Sequence, residues 1–190
     1  LRLFIALPLP ADIVEYLGRT IEALRATGPD VRWVDPGNVH LTVRFLGETD
    51  AAVVPRLTAL LDGVAAQLAP TTLTLDRMGA FPNLRRPNVF WVGLAGNTER
   101  LSKLARQVEL GVRTLRFEKE KKGFKPHLTL GRVKRGRTVT ETVSQIEAMR
   151  IEPREVLFDQ VVLFQSDLTP QGAVYTRLHT ARLGVERFGG

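Results

Sequence analysis

A histidine, an apolar residue, a threonine and another apolar residue follow one another twice in this chain, as His40-Leu41-Thr42-Val43 and His127-Leu128-Thr129-Leu130. The copies lie 87 residues apart and use two of the three histidines. Their surroundings repeat as well. The apolar run Phe4-Ile5-Ala6-Leu7 precedes a helical stripe of Val14, Leu17, Ile21 and Leu24. The same shift carries that run onto Trp91-Val92-Gly93-Leu94, and helix 12–26 onto 99–113 with Leu101, Leu104, Val108 and Val112. Each motif strand is followed by a further helical pattern, with Leu57, Leu61 and Val64 in one case and Val139, Val143 and Ile146 in the other. A strand then closes each series. An internal duplication accounts for this order most economically, over approximately residues 1–80 and 88–168.

Duplication limits the fold. Strands and helices in this order, with hairpin-length connections, predict α+β architecture with mostly antiparallel sheet and outer helices. Two pseudo-symmetric lobes are expected to face each other, with an active-site cleft between them. Residues 155–164 and 173–183 read as strands around the turn Thr169-Pro170-Gln171-Gly172, a C-terminal hairpin ending at 183. Asp12 is positioned to cap the first helix, and residues 71–76 alternate as a strand that gives way to a loop over 79–87. No linker composition separates the halves, so one bilobal domain is expected. A monomer is expected as well.

Composition excludes several chemistries. With no cysteine, disulfides, thiolate metal sites and a thiol nucleophile are ruled out. A net charge of +7 and a pI near 10.4 suit a polyanionic partner such as nucleic acid. The apolar start stops at Pro8 and Pro10, too soon for a signal-peptide core, and no uncharged run is long enough to span a bilayer. No membrane association and a cytoplasmic location are therefore expected. The terminal Phe188-Gly189-Gly190 is the one segment not expected to be ordered.

Strand alternation predicts that His40, Thr42 and Arg44 share one face, opposite Leu41, Val43 and Phe45. His127, Thr129 and Gly131 likewise oppose Leu128 and Leu130. An imidazole and a hydroxyl so spaced suit a phosphate, the hydroxyl donating to a non-bridging oxygen while the imidazole moves a proton at a bridging one. Two such strands place an imidazole on either side of one phosphorus, the requirement of in-line displacement. A single strand histidine is more often structural; the duplication favours chemistry. His179 lacks the frame and reads as structural or surface. No third ligand recurs at metal-binding spacing, so no metal or cofactor is expected.

The segments Val39-His40-Leu41-Thr42-Val43-Arg44-Phe45-Leu46-Gly47-Glu48 and Phe124-Lys125-Pro126-His127-Leu128-Thr129-Leu130-Gly131-Arg132 resemble the paired signatures of the 2H phosphoesterases, closest to the RNA 2′,3′-cyclic phosphodiesterases, also called 2′-5′ RNA ligases. The likeness extends to Phe4–Leu7, Arg32-Trp33-Val34, Phe81-Pro82, Arg86-Pro87 and Trp91. It implies metal-independent hydrolysis of a terminal 2′,3′-cyclic phosphate on RNA to a 2′-phosphomonoester, with reversible 2′-5′ joining as a side activity. It also implies His40 as proton donor to the leaving 3′ oxygen, His127 as the base that activates water, and Thr42 and Thr129 as phosphate ligands. The residues themselves require two proton-transfer histidines but leave their order open.

Further contacts are candidates only. Arg132 is a candidate phosphate contact although strict alternation turns it away from His127, unless a bulge intervenes; Arg44 has the favourable parity but lies beyond the threonine. Ten lysines and arginines between Arg113 and Arg137 are positioned to hold an RNA backbone, and Phe81 and Phe124 to stack on its terminal base. The competing readings are a related enzyme acting on another small cyclic phosphodiester and a non-catalytic RNA-end-binding module.

Overall fold

The structure, a computed structural model, describes residues 1–184, so the Phe188-Gly189-Gly190 tail lies outside the described residues. Nine strands and four helices alternate through it: β1 (Arg2–Pro8), α1 (Ala11–Arg25), β2 (Val31–Trp33), β3 (His40–Glu48), α2 (Val54–Ala65), β4 (Thr71–Phe81), β5 (Val89–Ala95), α3 (Glu99–Thr114), β6 (His127–Val133), α4 (Thr140–Ala148), β7 (Glu155–Phe158), β8 (Gln160–Thr169) and β9 (Gly172–Arg182). Every strand pairing is antiparallel. The α+β architecture predicted from the alternation of periods is the one observed.

Local sequence explains the elements. β1 is buried from Leu3 to Leu7, and Pro8 and Pro10 end it because neither can donate to a ladder. α1 buries Ile13, Leu17, Ile21 and Leu24, each fully enclosed, which contributes about 1.5–3 kcal/mol apiece. Asp12 is not its cap. Pro10 occupies that position, and Asp12 falls in the first turn, where its charge faces the free N–H groups of the helix end. Asp50 does cap, accepting from the Ala52 N–H at 2.9 Å in the 3-10 turn that leads into α2.

Two boundaries differ from the sequence reading. β4 continues past residue 76 to Phe81, through a bulge, with Met78, Gly79 and Ala80 opposite Val92, Trp91 and Phe90. The composition of 79–81 reads as loop because Gly79 must leave room for an indole: a Cβ there would lie 2.4 Å from the Trp91 ring. The stretch 155–164 is also not one strand. It breaks at Asp159, β7 pairing with β4 in one sheet and β8 with β1 in the other.

The sheets have the orders β3-β1-β8-β9 and β2-β6-β5-β4-β7. Each draws strands from both halves of the chain. β4, which follows α2, joins the sheet holding the second motif strand, and β8 joins the sheet holding the first, whereas β7, directly after α4, stays in the sheet of β6. One continuous core, including Ile5, Leu41, Phe90, Leu128 and Phe158, fills the helix-facing sides of both sheets. A separate small cluster of Phe4, Ala6, Val162 and Phe164, with Tyr175 against it, lies on the other side of the first sheet.

Gly131 is the tightest backbone position beside the second motif. A Cβ on it would sit 2.7 Å from the Trp33 ring and 2.9 Å from Val31. Gly131→Ala is expected to cost about 1–3 kcal/mol, read as a lower urea midpoint; an unchanged midpoint would contradict this packing.

Candidate active site

The two motif strands occupy matching places. His40 stands opposite Pro8 and Thr42 opposite Ala6; His127 stands opposite Gly93 and Thr129 opposite Trp91. The relation between β1 and β5 is therefore an offset of 85 residues, from Pro8 to Gly93, rather than the 87 that aligns the apolar runs. The difference of two preserves which face each residue takes. β3 and β6 also pack against each other, bringing the two sheets together at the motifs.

The histidines are held alike. His40 Nδ1 lies 2.6 Å from the Asn38 carbonyl, and His127 Nδ1 lies 2.6 Å from the Lys125 carbonyl, each two residues upstream. A carbonyl can only accept, so Nδ1 carries the proton in both rings and Nε2 is the nitrogen left for chemistry. Leu41 and Leu128, buried on the reverse face, anchor both strands. The hydroxyls of Thr42 and Thr129 make no hydrogen bond among the described residues.

A bulge follows each threonine at the same place. On β3 the register passes from Thr42 opposite Ala6 to Arg44 opposite Ile5; on β6 it passes from Thr129 opposite Trp91 to Gly131 opposite Phe90. An extra residue reverses the alternation beyond it. Phe45, opposite Phe4, therefore joins the face of His40, and Arg132, opposite Val89, joins the face of His127. Strict alternation had predicted the reverse for Phe45, Arg44 and Arg132.

Arg44 faces away and is committed elsewhere. Its Nε donates to Glu109 at 2.7 Å, its other nitrogens reach the Phe45 and Glu118 carbonyls, and Glu120 lies at 3.8 Å. Burial alone would raise the Glu109 carboxyl, but the Glu120 N–H and the Arg44 guanidinium, with Arg113 behind, hold it below the usual carboxylate range. This half-buried pair ties β3 to α3 and to the loop leading into the second motif.

Aromatic rings surround both imidazoles. The His40 ring stacks on Phe4 at 4.9 Å and meets the edge of Tyr175 at 5.5 Å, with Phe164 beyond at 6.2 Å. His127 is met edge-on by Phe81 at 5.0 Å, and Phe81 leans on Trp91 at 5.4 Å. Phe81 thus stands beside the motif histidine as the sequence suggested. Phe124 is half-buried against the main core and has no ring contact among the described residues.

Tyr175, Phe4, Phe164 and Phe45 were not singled out from sequence. Tyr175 reaches the site because the β8–β9 hairpin bends back toward β3, where Asn38 Nδ2 donates to the Ala173 carbonyl at 2.8 Å. Burial raises the Tyr175 phenol, with Arg132 and Arg2 pulling the other way, so it remains a neutral donor. The charge of Arg132, from the second sheet, thus acts on Tyr175 of the first, where β3 and β6 pack together. His179, outside the frame, is bound to Asp62 at 2.7 Å and fastens β9 to α2. Among the described residues no group of three or more histidines and carboxylates is placed to hold a metal ion, and no helix is long and apolar enough to cross a membrane.

Enclosure among these rings lowers the His40 pKa from 6.5 to about 4, against the opposing pull of the Asn38 carbonyl. An imidazole held neutral in the folded state and free to protonate in the unfolded state adds stability above pH 6.5 that is lost as pH falls toward 4. The loss is on the order of 3 kcal/mol across that window. His40→Gln is expected to remove this part of the pH dependence in urea unfolding at pH 7 and pH 5. An identical pH slope in the variant would refute it.

Two stretches of the chain, residues 7–91 and 92–175, each match the family model described as LigT like Phosphoesterase. A protein of Archaeoglobus fulgidus named RNA 2′,3′-cyclic phosphodiesterase is 35% identical over 179 residues, covering 94% of this chain and 98% of its own. One of the same name from Methanothermobacter thermautotrophicus is 30% identical over 183 residues, covering 96% and 98%. The solved structure of TT0787 of Thermus thermophilus superposes with a TM-score of 0.83 at 30% identity, covering 98% of this chain and all of that one. With a histidine and threonine of the repeated frame inside each matched stretch, the chain belongs to the family of LigT-like phosphoesterases.

Proposed function

We propose that the protein hydrolyses 2′,3′-cyclic phosphate ends of RNA to 2′-phosphomonoesters, with His40 and His127 as the proton-transfer pair and Thr42 and Thr129 as phosphate ligands. One observation carries the reading: both histidines keep their Nδ1 proton on a carbonyl two residues upstream and share a face with an uncommitted threonine hydroxyl. The names of the relatives from Archaeoglobus fulgidus and Methanothermobacter thermautotrophicus support the substrate class.

The chemistry follows from the groups present. One neutral imidazole takes a proton from water as its oxygen bonds to phosphorus; the bond from phosphorus to the 3′ oxygen breaks, and the other imidazole gives that oxygen a proton. Thr42, Thr129 and Arg132 hold the non-bridging oxygens, where charge is greatest in the transition state. Phe81 lines the His127 side as a surface for the terminal ribose or base. With the 5′-hydroxyl of a second RNA in place of water, the same transfers join the ends through a 2′-5′ bond. Neither route calls on a metal or a cofactor. No partner subunit is needed to complete the site, and the cytoplasm, where RNA ends arise, is the compartment that fits.

Resemblance assigns the donor role to His40. In the free protein, with a pKa of about 4, His40 is neutral near pH 7, so as donor it takes up its proton with the phosphate, whose charge favours imidazolium. His127 then serves as base.

An RNA ending in a 2′,3′-cyclic phosphate, incubated with the protein in EDTA, is expected to yield a 2′-phosphate. His40→Ala and His127→Ala should each lower the rate at least about 10²-fold while remaining folded; robust turnover by both, or a 3′-phosphate product, would sink the reading. The pH profile separates the roles. His40→Ala should lose the alkaline limb of kcat/KM and His127→Ala the acidic limb, whereas the opposite pattern reverses the assignment.

A further inference from the structure

At one end of the cleft stand guanidinium groups without a counter-ion. Arg32 lies directly opposite Arg132 in the β2–β6 ladder, on the face that the bulge gives to His127 and Thr129. Like charges opposed in this way destabilise an antiparallel ladder unless something neutralises them. Neither has an ion pair among the described residues, although other arginines find partners: Arg44 with Glu109, Arg137 with Asp30, Arg154 with Glu152. Arg2, two residues before Phe4 on β1, also has no ion pair among the described residues, and its charge, like that of Arg132, acts on the Tyr175 phenol.

Given the function proposed above, on which this inference rests, the charge is more than the reaction requires. A cyclic phosphodiester is a monoanion, and Arg132 alone balances it. Arg32 and Arg2 remain. The row holding Arg32 and Arg132 is opposite Val89, two strand positions beyond Trp91, which marks Thr129. That places it roughly 7 Å further along the sheet, a gap one ribose can bridge.

We propose that Arg32, beside Arg132, forms a second phosphate subsite that takes the phosphodiester on the 5′ side of the terminal nucleotide, so that the protein selects an RNA end over a cyclic mononucleotide. Arg2 adds charge from the facing sheet. The Tyr175 phenol, neutral and without a hydrogen bond among the described residues, is available as a donor at the same end.

The test compares kcat/KM for adenosine 2′,3′-cyclic phosphate carrying a 5′-phosphate with that for the 5′-hydroxyl form. The unmodified protein is expected to favour the 5′-phosphate, and Arg32→Met, which keeps the stem and removes the charge, should cut that preference about tenfold, the loss of one charge-assisted hydrogen bond. Because the readout is a ratio on one preparation, partial misfolding does not mimic it. A preference unchanged by Arg32→Met, including equal losses on both substrates, overturns the subsite. If the unmodified protein hydrolyses neither compound, the cyclic-phosphate reading has failed, and the subsite is judged by calorimetry. Adenosine 3′,5′-bisphosphate should then bind more tightly than adenosine 3′-phosphate, with Arg32→Met abolishing the difference; equal affinities overturn it.

Discussion

An extra residue directly after the threonine of each motif strand sets the character of this site. Val43 and Leu130 are these bulged positions, each reversing the alternation just beyond it, and β3 carries a second bulge at Leu46 further along. Without the bulge in β6, Arg132 would lie against the core side with Leu128. Without the bulge in β3, the Arg44–Glu109 pair would open into the cleft and Phe45 would lose its place beside Phe4. Identical backbone irregularities thus serve two different ends. On one strand the reversal presents a guanidinium, on the other an aromatic ring that is 57% exposed. A repeated frame thus carries an asymmetric set of side chains.

Much of this was legible in the residues. Histidine and threonine two apart on a regular strand share a face, and no bulge falls between them on β3 or β6; duplication of the frame singled out both pairs. The α+β architecture followed from alternating periods. The features that could not be read were set by partners distant in the chain. The bulges arise from pairing with β1 and β5, so the faces of Arg44, Phe45 and Arg132 were assigned wrongly or left open by alternation alone. Tyr175 lies 135 residues beyond His40 and reaches it only through the bend of the terminal hairpin. Gly79 reads as a turn residue, because its reason for being glycine is an indole from the neighbouring strand.

Charge is distributed to the same end. The chain carries 20 acidic residues, several of them engaged by basic side chains: Glu109 and Glu120 by Arg44, Asp30 by Arg137, Asp62 by His179. Arg2, Arg32 and Arg132 are left without such partners among the described residues. Carboxylates at the cleft would repel a phosphate and offset the field of the basic residues around the second motif. Engaging them on the helix side leaves the motif faces cationic without raising the net charge further.

The exchange of strands between the halves bears on how the molecule is made. β1 and β3 cannot complete their sheet until β8 arrives, more than a hundred residues later, and β5 and β6 depend on β4 from the earlier half. Pairing so remote in sequence carries a large loop-closure cost before any contact repays it, and it slows folding relative to a helical bundle of this size. On the ribosome, the first motif would emerge well before the strand that closes its sheet. Neither half therefore holds a complete sheet by itself: the sheet of His127 is complete once β7 has been made, whereas that of His40 waits for β8 and β9.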